Sequence, residues 1–208
     1  MLSPQDNELL CRVGPGTPMG KLLREYWMPM LPSKELPEGD CPPMRVRLLG
    51  EDLVAWRNTD GSVGVMQNAC PHRGASMFFG RNEENGLRCV YHGWKFDVAG
   101  TCTDMPNEPA ESNFKHKIHA TAYPAVERNG IIWVYMGGRE TPPALPDLEP
   151  NMLPEGRYII QAYQRECNWM QALEGDIDTC HVGFLHLGSV TQDDAPEGTW
   201  AKYALGDR

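Results

Sequence analysis

Residues 70–74 read CPHRG and residues 89–94 read CVYHGW, two short stretches that each contain potential metal ligands. Each stretch pairs one cysteine with one histidine, Cys70 with His72 and Cys89 with His92, and sixteen residues separate the pairs. A glycine, which tight turns favour, follows each pair, so we expect two loops at the tips of two hairpins. Such loops could close on one metal centre from two sides.

The grouping of thiolate and imidazole ligands helps to distinguish zinc from iron. Structural zinc sites usually group cysteine with cysteine and histidine with histidine, at spacings such as C-x2-4-C and H-x3-5-H. A mixed pair on each loop better suits a Rieske centre, a [2Fe-2S] cluster in which two cysteines hold one iron and two histidines the other. The predicted cluster ligands are therefore Cys70, His72, Cys89 and His92. A structural zinc site is the alternative.

Short strands surround both stretches. Apolar residues alternate with polar ones over residues 44–48, and turn sequences such as Thr59-Asp60-Gly61 follow. Further short strands fit residues 53–56, 62–67, 87–91, 94–98, 118–123 and 131–136. This spacing predicts a mainly β chain built on an antiparallel sandwich or barrel.

A second group of potential metal ligands contains Asp178, His181 and His186. Apolar residues at helical spacing predict a helix from residue 168 to about 178, and residues three apart on a helix share a face. Gly183 lets the chain bend so that His186 could return toward His181. Two histidines and a carboxylate form the facial triad of non-haem iron(II) oxygenases. The same residues are also compatible with an ordinary polar surface.

The composition excludes several classes of protein. Lys and Arg number 19 against 28 Asp and Glu among 208 residues, and this net charge of −9 disfavours nucleic acid as a partner. No apolar run approaches the roughly 20 residues of a membrane span, and residues 1–10 lack the basic start and apolar block of a signal peptide. Seven cysteines, an odd number, fit free thiols or metal ligands. We expect a cytoplasmic protein without nucleic-acid or membrane partners.

Composition and periodicity divide the chain into four segments. The first is helical, because Thr17 can cap a helix that begins with a proline and continues to Trp27. The predicted segments are an N-terminal helical segment at residues 1–37, a β domain at 38–140, a proline-rich linker at 141–157 and the beginning of a second domain at 158–208.

The two cysteine–histidine stretches resemble the cluster loops of the aromatic-ring-hydroxylating Rieske oxygenases, which read C-P-H-R-G and C-x-Y-H-G-W. The resemblance covers the whole β domain. Residues 14–20 (GPGTPMG) and 168–175 (NWMQALEG) are similar to the phthalate dioxygenase branch. Respiratory Rieske proteins carry an extra cysteine in each loop, and neither loop has one here. The fold implied by the resemblance is a Rieske antiparallel β-sandwich domain followed by the start of an α+β catalytic domain.

The resemblance also implies an activity. In that family the pattern D-x-x-H-x-x-x-x-H holds two iron-ligating histidines, here His181 and His186. Asp178 is then a bridge that joins His181 to the cluster ligand His92 of a neighbouring subunit. The implied protein is an oxygenase α subunit with a [2Fe-2S] cluster and a mononuclear Fe(II), which uses O2 to hydroxylate a small aromatic substrate, in this branch an aryl carboxylate. An NADH-dependent reductase as electron donor and a homotrimer, or a multiple of it, are implied as well.

The sequence departs from the family in its length. Family members are much longer, and their third iron ligand is an acidic residue far downstream, a position that Asp193, Asp194 and Glu197 do not match. We therefore expect a truncated catalytic domain with an incomplete iron site. The alternatives are a Rieske-type electron carrier or inactive oxygenase fragment, and a colourless zinc-stabilised binding module. An electron carrier has no reason to keep residues 168–186.

Overall fold

A computed structural model of the chain describes residues 2–109, 111–178, 180–186, 193 and 197. The chain forms two compact units, Met1–Tyr163 and Gln164–Arg208. These two units are coarser than the four segments expected from sequence, whose bounds stay predictions. Within the described residues, no helix is long and apolar enough to cross a membrane.

Antiparallel strands dominate the first unit, as predicted. They are β1 (Trp27–Pro32), β2 (Met44–Leu48), β3 (Glu51–Arg57), β4 (Val63–Gln67), β5 (Arg81–Asn82), β6 (Leu87–Arg88), β7 (Lys95–Phe96), β8 (Cys102–Asp104), β9 (Ala125–Arg128) and β10 (Ile131–Tyr135). They form three sheets, in the orders β1-β10-β9, β2-β3-β4 and β5-β6-β7-β8. The alternation expected over residues 44–48 is present, since the arginines of β2 are exposed and its apolar side chains are partly buried.

The helices are short. They are α1 (Pro4–Cys11) and α2 (Pro18–Leu23) in the first unit and α3 (Trp169–Ile177) and α4 (Val182–Leu185) in the second. Single turns of 3-10 helix cover Ser33–Glu35, Met77–Phe79, Phe114–Lys117 and Glu149–Met152. Thr17 caps α2 as predicted, because its hydroxyl accepts a hydrogen bond from the Gly20 amide at 3.1 Å.

The helix expected to reach Trp27 is shorter, and the segment after it is a strand. Strand β1 pairs with β10, and its register shifts between Pro29 and Leu31. Proline has no amide hydrogen to donate, so Pro29 and Pro32 rule out a helical interior but are tolerated in a strand at the edge of a sheet. Helix α2 therefore ends at Leu23, and both prolines belong to the strand that follows.

The strand expected at residues 118–123 also differs from the structure. Residues 118–123 make only isolated bridges, between Thr101 and His119 and between Met66 and Ala122. The proline-rich segment 141–157 belongs to the first unit and contacts strand β1: the Trp27 indole donates to the Pro143 carbonyl at 2.7 Å, and Leu145 is buried. A segment with a composition typical of a linker can make such contacts, because backbone carbonyls beside prolines still accept hydrogen bonds.

The hydrophobic core has two parts. One buried cluster lies around β1, β2, β3 and β10 and includes Leu36, Leu53 and Ile132. The other joins β3 and β4 to the four-stranded sheet; it contains Trp56 and Phe96, together with both predicted cysteine ligands. Full burial of one large apolar side chain contributes roughly 1.5–3 kcal/mol, so the second cluster is a rigid base beneath the two loops.

Candidate metal centres

The two predicted metal-binding loops share one pattern of backbone hydrogen bonds. The first follows β4 and the second joins β6 to β7. In each, the cysteine amide donates to the carbonyl five residues further on, at 2.8 Å, and the glycine amide donates back to the cysteine carbonyl, Gly74 to Cys70 at 2.8 Å and Gly93 to Cys89 at 3.0 Å. Both glycines have positive φ, 71° and 77°, where a side chain is strained. The equivalence of the two loops explains why each needs a glycine four residues after its cysteine.

The two sulfur atoms lie together at the base of the loops. Cys70 and Cys89 are 3% and 2% exposed and belong to one buried cluster. Burial, together with the close interaction with Cys89, raises the pKa of the Cys70 thiol to about 11, while the backbone amides of His72 and Arg73, which point at its sulfur, act in the opposite direction. A bound metal would favour the thiolate, and these amides would then donate to a charged sulfur.

The two imidazoles also lie together, closer to the surface. The ring centroids of His72 and His92 are 4.4 Å apart and the planes meet at 64°. His72 Nδ1 is buried and has no hydrogen-bond partner. Loss of solvation lowers the pKa of His72, and His92 and Arg73 add to the effect. The neutral imidazole favoured in this way is the form that binds metals.

The arrangement fits a [2Fe-2S] cluster better than one metal ion. Among the described residues, no three His, Cys, Asp or Glu side chains converge as the ligands of a single ion. A Rieske cluster needs only two protein ligands for each iron, two sulfurs for one and two nitrogens for the other. The structure has the same arrangement, because the two sulfurs lie together and the two imidazoles lie together, and each pair contains one residue from each loop. His72 Nδ1, which is buried without a hydrogen-bond partner, would be a ligand nitrogen in this arrangement.

Residues outside the predicted motif hold the two loops in place. Asn68 supports the first loop: its side-chain oxygen accepts from Ser76 Oγ and the Phe78 amide, both at 3.0 Å, and its amide group donates to Asp52. Asn68 is 3% exposed and lies two residues before the first cysteine. No periodicity or motif marks this position, so its role could not be predicted from the sequence.

Arg88 supports the second loop in the same way. It lies immediately before Cys89, and its guanidinium donates to the Gly93 carbonyl at 2.7 Å. The same guanidinium binds Asp104 at 2.6 Å and Glu83 at 2.6 Å. One side chain therefore links the loop backbone to Asp104 at the end of strand β8 and to Glu83 just after strand β5. This position, too, was not singled out from the sequence.

The second predicted centre lies in the second unit. Helix α3 begins at an Asn168 cap and ends before Asp178, as the pattern predicted. Asp178 Oδ2 lies 3.3 Å from His181 Nδ1, and its Oδ1 accepts from the Cys180 amide at 2.8 Å. The ring centroids of His181 and His186 are 5.5 Å apart. His181 thus lies beside each of the other two predicted residues, Asp178 and His186.

A third iron ligand is not evident in the described part of the second unit. No third metal-ligating side chain converges with His181 and His186 among the residues that the structure describes. Asp193 and Glu197 are described and exposed, whereas Asp194 lies outside the described residues. Two neighbouring imidazoles could hold an iron only together with at least one further ligand.

Comparison with known proteins identifies the family to which this sequence is similar. Residues 26–124 match the family model described as Rieske [2Fe-2S] domain. The chain is 53% identical to the 3-chlorobenzoate-3,4-dioxygenase oxygenase subunit of Comamonas testosteroni, over 98% of this chain and 47% of the relative. It is 46% identical to the phthalate 4,5-dioxygenase oxygenase subunit of Pseudomonas putida, over 89% of this chain and 42% of the relative. The chain therefore spans less than half the length of these curated relatives.

A solved structure extends the agreement to the fold. The oxygenase in the oxygenase–ferredoxin complex of carbazole 1,9a-dioxygenase superposes with a TM-score of 0.71 at 28% identity, over 89% of this chain and 46% of that one. The predicted family, cofactor class and mainly β fold are confirmed by these matches. The similarity to the phthalate branch, first noted in two short stretches, extends over most of the chain. The chain belongs to the Rieske non-haem iron oxygenases, and residues 26–124 are its Rieske [2Fe-2S] domain.

Proposed function

We propose that this chain is part of a terminal oxygenase component, in which electrons pass from a Rieske [2Fe-2S] cluster to a mononuclear non-haem iron that activates O2 to hydroxylate an aromatic substrate. The observation that carries the proposal is the presence of both ligand constellations on one chain: two sulfurs and two imidazoles on paired loops, and a second histidine pair beside Asp178. An electron carrier needs only the first. The two relatives described above are named for 3-chlorobenzoate and phthalate, so an aryl carboxylate is the substrate class we propose.

Cys70 and Cys89 would hold one iron of the cluster, and His72 and His92 the other. When bound, the cluster accepts and donates one electron at a time, and its neutral imidazole ligands raise its reduction potential above that of an all-cysteine cluster. The amides of His72 and Arg73 donate toward Cys70 and stabilise it as a thiolate. The loops thus supply both the ligands and part of the electrostatic environment.

His181 and His186 would hold the mononuclear iron. Asp178 accepts a hydrogen bond from His181 Nδ1, which leaves the other ring nitrogen of His181 available to a metal. We propose that the same carboxylate also binds His92 of a neighbouring subunit in a homotrimer or a multiple of it. The remaining iron ligand would come from the catalytic region that the longer relatives possess.

The electron donor would be an NADH-dependent reductase, acting directly or through a ferredoxin. Support for a separate donor comes from the relatives, which are named as oxygenase subunits, and from the solved complex of one oxygenase with its ferredoxin. The cytoplasm is the compartment we propose, because all seven cysteines are free thiols in the structure.

The cluster assignment can be tested on the chain as it stands. Protein purified aerobically should be red-brown, with two irons and two acid-labile sulfides per chain, and dithionite should produce an electron paramagnetic resonance signal with the low average g of nitrogen-ligated clusters. His72→Cys should lower the reduction potential, since an anionic ligand replaces a neutral one. His116→Cys, the same change at an exposed histidine in the 3-10 turn Phe114–Lys117, should leave it unchanged. A colourless protein with one zinc per chain would refute the proposal.

A further inference from the structure

The indole of Trp94, the last residue of the second loop, covers His72 of the first. The two ring centroids are 4.4 Å apart, and the planes are 9° from parallel. Trp94 is 5% exposed, so the indole forms part of the packed interior. This contact crosses from one loop to the other and shields one face of the His72 ring from water.

Stacking alone does not fix the position of the indole. Parallel rings can slide or turn over one another with little change in contact energy, whereas a hydrogen bond has a preferred direction. The indole has a single polar group, its Nε1–H, and this group donates to Asn107 Oδ1 at 2.7 Å. The bond to Asn107 therefore fixes the orientation in which Trp94 covers His72.

The segment that carries Asn107 is itself held against the second loop. Met105 is buried, and the Glu108 amide donates to its carbonyl at 3.0 Å. Pro106 lies so close to Gly93 that a β-carbon at Gly93 would come within 2.6 Å of the proline ring. Asn107 is thus presented to Trp94 from a fixed backbone, although its own side chain is at the surface.

We propose that Asn107 is a positioning residue for the Rieske cluster, acting through Trp94 on His72. The inference rests on the proposed role of His72 as a cluster ligand. If the indole turns away, water gains access to the imidazole and to the cluster edge. Reduction adds one negative charge, which water solvates better than a packed indole does, so the reduction potential should rise.

The test uses the full chain with its cluster and two readouts besides activity. Asn107→Leu removes the acceptor but keeps a side chain of similar size at an exposed position. We expect a more positive reduction potential, and a changed nitrogen hyperfine coupling for one of the two histidines in pulsed electron paramagnetic resonance of the reduced protein. Asn107→Asp keeps an acceptor oxygen and should retain both nitrogen couplings of the wild type.

A second test removes the indole donor of Trp94 in place of its acceptor. Trp94→Phe should alter the same nitrogen coupling, and adding Asn107→Leu to it should produce no further change, because the bond is already absent. The matched control is Trp27→Phe, which removes an indole donor of equal hydrogen-bond length, 2.7 Å to the Pro143 carbonyl, without an imidazole partner. It should leave the potential and both couplings unchanged.

Two results would overturn the inference. The first is that Asn107→Leu keeps the wild-type reduction potential and nitrogen couplings. The second is that Asn107→Leu changes the nitrogen coupling equally in the wild-type protein and in Trp94→Phe. Failure of the proposed function would be distinguishable from these results. If the reduced wild-type protein showed no nitrogen coupling, His72 would not be a cluster ligand, and the variants would not be needed to show this.

Discussion

Arg88 shows how one residue outside the motif supports the centre. Its guanidinium is 12% exposed and binds Glu83, Asp104 and the carbonyl of Gly93. Hydrogen bonding and charge from Arg88 lower the pKa of both Asp104 and Glu83. A lowered pKa in the folded state stabilises the fold above the ordinary pKa of the group, and the stabilisation is lost as the pH falls through the folded value.

Arg88→Met should therefore lower the free energy of unfolding by about 2 kcal/mol at pH 7, after allowance for solvent screening at the partly exposed carboxylates. The difference from wild type should shrink as the pH falls below the ordinary carboxyl pKa values toward the lowered folded-state values, because the carboxylates then lose the charge that pairs with Arg88. Thermal unfolding followed by circular dichroism at pH 7 and pH 3.5 measures both effects. Arg81→Met is the control, because Arg81 also pairs with Glu83 but is 62% exposed. Equal losses in the two variants would show that the contact with the loop contributes nothing.

At the scale of the elements, the two loops offer an internal comparison. Gly74 and Gly93 occupy equivalent positions with similar positive φ, but a β-carbon on Gly74 would meet nothing within 4 Å, whereas one on Gly93 would meet Pro106. Gly74→Ala should lower the free energy of unfolding by about 1–2 kcal/mol through backbone strain alone. Gly93→Ala should lower the free energy of unfolding further and should also lower the iron content, because either the loop or Pro106 must move.

Iron and sulfide per chain, together with the thermal midpoint, test this difference. Gly14→Ala is the baseline, since Gly14 has no positive φ and its added β-carbon would meet nothing within 4 Å. If Gly74→Ala and Gly93→Ala behave alike, the approach of Pro106 is not a constraint on the second loop.

The same elements show what the sequence could and could not predict. The loops were predictable because ligands and turn glycines lie a few residues apart. Strand β1 was not, because its partner β10 is about one hundred residues away and its two prolines are more typical of a helix end. Asn107 and Arg88 act through contacts with residues on other strands and turns, and no local pattern encodes such contacts.

At the scale of the whole chain, the first unit contains all four proposed cluster ligands. Every buried residue of the two core clusters lies between Leu31 and Met136. We expect a chain ending at Tyr163 to fold with its cluster and to reproduce the reduction potential and spin signal of the longer chain. A fragment that is unfolded or lacks iron would show that Gln164–Arg208 contributes to the stability of the first unit.

The second unit should matter for electron transfer rather than for cluster binding. If Asp178 joins His181 to His92 of a neighbouring subunit, its carboxylate accepts from both imidazoles. Asp178→Asn keeps the size but replaces one acceptor oxygen with a nitrogen that can only donate. Cluster absorbance and mononuclear iron should then persist, because no proposed ligand is lost.

Electron transfer between the two centres should slow steeply in the same variant, since the hydrogen-bonded route is broken. The measurement is rapid mixing of the reduced, assembled oxygenase, including the catalytic region found in the longer relatives, with substrate and O2, followed by cluster re-oxidation. The matched control is Asp176→Asn, which alters a carboxylate two residues earlier that binds Arg165 at 2.9 Å; this variant should re-oxidise at the wild-type rate. Wild-type re-oxidation in Asp178→Asn would exclude the bridge. Loss of the mononuclear iron would instead make Asp178 a ligand, and His181 and His186 would then form with it the two-histidine, one-carboxylate triad.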